Sequence, residues 1–200
     1  HLAEEQLVIK AGELVGTRRY RIEANIGTIL SRAITGNRFE MHYQPIYNIK
    51  KGAFTAAEAL IRLNDKYYGN IPPAIFIPDA EKKGLIVSVG DVVLESVFRF
   101  ISEHDMNAMG LDYIEINLSV AQCFQPDLSR KIRALQRRYR VSPSQVNFEI
   151  TETTYGNISD IAQNNILELV HDGYTFSLDD YGSGLESLGF LKMLSADYVK

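Results

Sequence analysis

The sequence predicts an α/β fold built largely on parallel strands. Two observations carry that prediction. Short apolar runs with strand character alternate with amphipathic helical patterns. Several of those strand-like runs are also interrupted or ended by a carboxylate or an amide. An open doubly wound sheet and a β/α barrel both satisfy this rhythm. Composition sets the outer bounds. The chain has 200 residues, 46% of them hydrophobic and 23% charged, which is ordinary globular composition with room for one sizeable core. The formal charge of -4 excludes a strongly basic surface for a nucleic-acid polymer. A single cysteine, Cys123, excludes an intrachain disulfide framework and a thiolate zinc cluster, and a reducing, cytoplasmic compartment is the simplest expectation. No apolar run reaches the roughly 18 residues of a membrane span.

The elements follow in order. Residues 1–36 read as helical, with Ile22, Ile26, Ile29, Leu30 and Ala33 at helical spacing and Gly36-Asn37 as the stop. They are expected to form linker or signalling helices ahead of a domain at 37–200. Phe39 to Ile46 alternates as a strand, and Ala53 to Leu63 is a second strand-like run. Gly69, Pro72 and Pro73 predict a loop. Ile75 to Lys83 reads as a short helix, and Leu94, Val97, Phe98 and Ile101 mark an amphipathic one. Strands are then expected at Tyr113–Leu118, Val146–Ile150 and Tyr174–Asp179. Helices follow the first two, marked by Leu128, Ile132, Leu135 and Tyr139, and by Ala162, Ile166, Leu169 and Val170. A short helix is expected over Leu185–Leu191, and Ala196 to Lys200 begins one more strand.

The polar residues in these strands form the candidate site. Glu58 interrupts an apolar run, Asn117 and Glu149 sit near strand ends, and Asp179-Asp180 terminate a third strand. A charge inside such a run is costly unless paired or metal-bound. In a β/α barrel, C-terminal strand ends converge on the active face. Strand parity puts Glu58, Leu60 and Arg62 on one face, Glu115 with Asn117, and Asn147 with Glu149 and Thr151. An all-oxygen donor set suits Mg²⁺ or Mn²⁺. Four carboxylates fit two such ions, which can clamp a phosphoryl group and activate a water. Asp179-Asp180 before Gly182 would alone be an ordinary turn; repetition on several strands is what points to a site. The histidines lack metal-ligand spacing, and Cys123 has no nearby histidine to activate it.

These residues also carry a family pattern. Tyr43-Gln-Pro-Ile46, Glu58-Ala-Leu-Ile-Arg62, Phe76-Ile-Pro78 with Ala80-Glu81 and Gly84, Asn117-Leu-Ser119 with Gln122, Phe148-Glu-Ile-Thr-Glu152, Leu178-Asp-Asp-Tyr-Gly182 and Asp197-Tyr-Val-Lys200 occur in that order. Together they resemble the EAL domain, a family that hydrolyses the bacterial second messenger cyclic di-GMP. The resemblance spans about residues 37–200. It implies a modified TIM-like β/α barrel whose first strand is antiparallel to the rest, cut off after about the sixth strand. The segment 37–200 is shorter than the roughly 250 residues of a typical β/α barrel, so the last two strands and a later glutamate ligand are expected to be missing.

By that resemblance, Glu58, Asn117, Glu149 and Asp179 are ligands of one ion. Asp180 serves a second ion, and Asp179 and Asp180 flank the water between the two. Lys200 holds or helps activate that water, Arg62 contacts a substrate phosphate, and Glu152 anchors the loop after Asp180. The implied reaction is metal-dependent hydrolysis of cyclic di-GMP to linear 5′-pGpG. The implied partners are a second copy through this domain and an upstream sensor or GGDEF-type domain, with the parent anchored to a membrane elsewhere or not. A receptor that binds cyclic di-GMP without turnover and a protein-interaction module are the alternatives. The sequence departs from the family pattern at Leu63, where tryptophan is usual, and at Leu185 and Glu186 in the loop after Asp180.

Overall fold

The computed structural model describes residues 2–36, 38–151, 160–179 and 198–199. The expected helix at 185–191 lies outside them. The main sheet runs β1 (Phe39–Asn48), β2 (Ala53–Asp65), β4 (Tyr113–Asn117), β5 (Val146–Thr151), β6 (Thr175–Asp179) and β7 (Tyr198–Val199), with β3 (Gly69–Ile71) paired to β2 off this path. Strand β1 is antiparallel to β2, and β2, β4, β5, β6 and β7 pair in parallel. Parallel neighbours need crossover connections, and helices supply them. This is the modified TIM-type β/α topology with a reversed first strand. The reversal follows from the short 49–52 connection, which allows only a hairpin. Gly52 closes it at φ 64°, a left-handed conformation that glycine adopts without strain.

Chain contacts divide the molecule into two compact units, residues 1–40 with 62–85 and residues 41–61 with 86–200. In the first, α1 (Leu2–Thr35) is one continuous helix. Ile22, Ile26, Ile29, Leu30 and Ala33 are fully buried along one side of it, as their spacing predicts. It packs on α2 (Pro73–Lys82), which buries Phe76 and Ala80. Gly84, at φ 68°, lets the chain leave α2, and the following Leu85 amide returns to the Ala80 carbonyl.

The predicted loop around Gly69 instead contains β3. Asp65 makes the difference. Its carboxylate accepts from the Tyr67 and Tyr68 amides at 2.8 and 3.1 Å, folding a tight turn. The chain then returns antiparallel, with Leu63 opposite Ile71. Leu63 is fully buried here, so the departure from tryptophan is a packing change inside this unit.

In the second unit, alternation sorts the strand residues into two layers. Ala57, Ala59, Ile114, Ile116, Phe148, Ile150, Phe176 and Leu178 join the buried apolar core. They meet the apolar faces of α3 (Ile86–Glu103), α5 (Leu128–Tyr139) and α6 (Asp160–His171). Full burial of each large side chain contributes roughly 1.5–3 kcal/mol. The opposite parity carries Glu58, Glu115, Asn117, Asn147, Glu149 and Ser177. A strand buried on both faces would normally be apolar throughout. The layer away from the helices is therefore where the fold spends its polar residues.

Candidate functional site

Register brings the polar residues into rows. Glu58 lies opposite Glu115, Glu115 opposite Asn147, and Asn147 opposite Thr175. One step further along the strands, Asn117 lies opposite Glu149 and Glu149 opposite Ser177. Each strand places its functional side chain by the same device. An apolar residue on either side is drawn into the helix-facing core, and the polar one is turned to the other face.

The rows converge on a carboxylate cluster. Glu58, Glu115 and Glu149 each present an oxygen, and those oxygens lie within 4.8 Å of one another. Glu115 and Glu149 are buried, and Glu58 is half-buried. Asn117 donates its side-chain amide to Glu58 Oε1 at 2.8 Å. Three ionised carboxylates so close repel one another by a few kcal/mol per pair at an effective dielectric near ~20. A divalent cation would remove that cost, and the donors are hard oxygens of the kind Mg²⁺ and Mn²⁺ prefer. The three acidic residues could therefore coordinate a divalent metal, and the residues present fit one.

The sequence-predicted residues fall into three groups. Glu58, Asn117 and Glu149 are brought together. Asp179 is the last residue of β6, opposite Thr151 of β5, which puts it at the same strand ends. Arg62 lies four residues beyond Glu58 along β2, on the same strand face and within the first unit. Glu152, Asp180 and Lys200 lie outside the described residues, as do Leu185 and Glu186. Glu115 is the residue that sequence reasoning left out of the ligand set. Its parity with Asn117 was a visible signal, but its closeness to Glu149 depends on the β4–β5 register, which makes the two diagonal neighbours.

The turn after β4 is fixed by a helix cap two residues past Asn117. Ser119 caps α4 (Val120–Cys123) in a reciprocal box with Gln122. Gln122 Oε1 accepts from the Ser119 amide at 3.1 Å and the Ser119 hydroxyl at 2.8 Å. The Gln122 side chain lies against Gly90 of α3, where an added Cβ would clash with its amide nitrogen. Cys123 next to it is fully buried, and burial pushes its thiol up to about 12, so it is a packing residue and no nucleophile at neutral pH. His42 lies exposed on β1.

The profile of the EAL domain matches residues 28–200. The chain belongs to the EAL domain family. This EAL domain is 33% identical over 177 residues to MucR, a bifunctional diguanylate cyclase/cyclic di-GMP phosphodiesterase of Pseudomonas aeruginosa, covering 86% of the chain and 25% of MucR. It is 29% identical over 199 residues to PdeG, a probable cyclic di-GMP phosphodiesterase of Escherichia coli, covering 97% of the chain and 38% of PdeG. Its structure is similar to that of the MucR phosphodiesterase in complex with cyclic di-GMP, with a TM-score of 0.79 at 32% identity over 88% of this chain and 71% of that one. The chain thus spans well under half the length of these two curated relatives. Among the described residues, no helix is long and apolar enough to cross a membrane.

Proposed function

We propose that this EAL domain hydrolyses cyclic di-GMP to linear 5′-pGpG with the help of divalent cations. The observation that carries the reading is the carboxylate cluster of Glu58, Glu115 and Glu149, with Asn117 bonded to Glu58; of these, Glu58, Asn117 and Glu149 are the ones the family resemblance counts as metal ligands. The likeness to MucR, a phosphodiesterase whose structure holds cyclic di-GMP, supports the substrate.

In this reading Glu58, Asn117, Glu149 and Asp179 hold one Mg²⁺ or Mn²⁺, and Asp180 contributes to holding a second. Such ions neutralise the phosphodiester's charge and lower the pKa of an attacking water. The remaining roles belong to the chain. Arg62 binds a non-bridging phosphate oxygen with its guanidinium fork. Lys200 holds or helps activate the attacking water. Glu152 anchors the loop after Asp180. Residues 1–36 serve as the connection to an upstream sensor or GGDEF-type domain. MucR's second activity and its greater length support such a neighbour. A homodimer through this domain completes the reading.

The test is incubation of the full-length protein with cyclic di-GMP and Mg²⁺ or Mn²⁺. Linear pGpG is expected, with its formation lost in Glu58→Ala. Full product formation by Glu58→Ala would overturn the assignment.

A further inference from the structure

Below the ligand row, three residues that are not among the proposed ligands form a second polar row. Glu115, Asn147 and Ser177 stand on β4, β5 and β6, each two residues before a proposed ligand: Asn117, Glu149 and Asp179. All three are buried, at 1%, 0% and 1% exposure. They are bonded to one another. The Ser177 hydroxyl bonds Glu115 Oε2 at 2.7 Å and also contacts Asn147 Oδ1. Asn147 in turn donates to the Thr175 hydroxyl at 2.9 Å. Ser177 of β6 thus reaches past β5 to Glu115 of β4, tying together the strands that carry the ligands.

Apolar side chains would fill such an interior without needing partners, so a bonded polar row calls for a reason. Glu115 supplies one. Its carboxylate is tethered from one side by Ser177 and lies in the cluster with Glu58 and Glu149. Without a cation that arrangement is repulsive; with one it becomes favourable. We infer that Glu115 is a positioning residue of the cation site, held by Ser177 so that its charge and its bond to β6 set the affinity and spacing of the ligands above. The inference rests on the proposed metal-dependent reading of the same site.

The experiment is a Mn²⁺ titration of the full-length protein, followed by the paramagnetic resonance signal of free Mn²⁺, beside melting curves in EDTA. Glu115→Gln keeps an acceptor for Ser177 and removes the charge. Ser177→Ala keeps the charge and removes the tether. Both are expected to weaken Mn²⁺ binding by about 10- to 100-fold, as supporting groups around a metal do. Glu115→Gln should melt no lower than wild type without the ion, and Glu115→Asp should recover part of the affinity. Unchanged Mn²⁺ affinity in Glu115→Gln, or in Ser177→Ala, would overturn the inference while leaving the proposed reaction intact. Absence of Mn²⁺ binding in wild type would overturn both.

Discussion

Asn117 donates its side-chain amide to Glu58 at 2.8 Å, joining the end of β4 to β2. The amide nitrogen offsets one carboxylate of the cluster, and the amide oxygen is left as an electron-pair donor. Asn117→Asp replaces that donor with a further acceptor among three carboxylates. Without divalent ions the variant is expected to lose about 1–2 kcal/mol, or roughly 3–6 °C in Tm. Saturating Mg²⁺ should restore part of the loss. Melting curves in EDTA and in Mg²⁺ check this, and an identical shift in both would contradict it.

Gly90 and Gln122 supply a second prediction. A Cβ at position 90 would clash with the side-chain amide of Gln122. Gln122 is buried and caps the turn after Asn117, so it cannot swing away without releasing Ser119. Gly90→Ala is therefore expected to cost about 1–3 kcal/mol, the usual range for overpacking. Denaturant unfolding measures the cost. The Gly90→Ala, Gln122→Ala pair should couple, the double variant being less destabilised than the sum of the singles.

Cys123 makes a prediction about alkaline pH. Burial raises its thiol from 9.0 to about 12, so above pH 9 the unfolded chain loses a proton that the folded chain keeps. The unfolded state then binds fewer protons, and stability falls as pH rises from 9 toward 12. Cys123→Ala should show a shallower fall across that window while being less stable at neutral pH. Unfolding curves at several pH values read both effects. Alkylation of the native protein at pH 8 should also be slow until it is unfolded.

The oxygen-only donor set makes a prediction about calcium. Ca²⁺ accepts the same ligands but with longer bonds and looser geometry. It is expected to occupy the site and support substrate binding while blocking hydrolysis competitively with Mg²⁺. Product assays across Ca²⁺ and Mg²⁺ ratios check it, and full turnover in Ca²⁺ alone would contradict it.

Much of this was legible in the residues. Glu58 and Glu149 stood out because a charge within an apolar strand is costly, and the structure places both in the cluster. The helical face of α1 was legible from Ile22 to Ala33, because one helix face must be buried and its period is fixed. Two features were not. Strand β3 is three residues long, too short for any period, and its existence depends on the turn made by Asp65. Glu115 shared a visible parity with Asn117, yet parity fixes only the face. Its contact with Ser177, two strands away, depends on the order and register of β4, β5 and β6, which no local pattern encodes. The pairing of Gly90 with Gln122 is likewise a contact between a helix and a turn 32 positions apart.

The most direct test measures binding and turnover in one preparation of the full-length protein. Cyclic di-GMP binding is measured in Ca²⁺, and pGpG release is then followed after exchange into Mg²⁺ or Mn²⁺. The account predicts several product equivalents per protein in Mg²⁺ or Mn²⁺, stopped by EDTA and absent in Glu58→Ala. Tight binding in Ca²⁺ with no pGpG in either Mg²⁺ or Mn²⁺ would contradict it and make this domain a receptor.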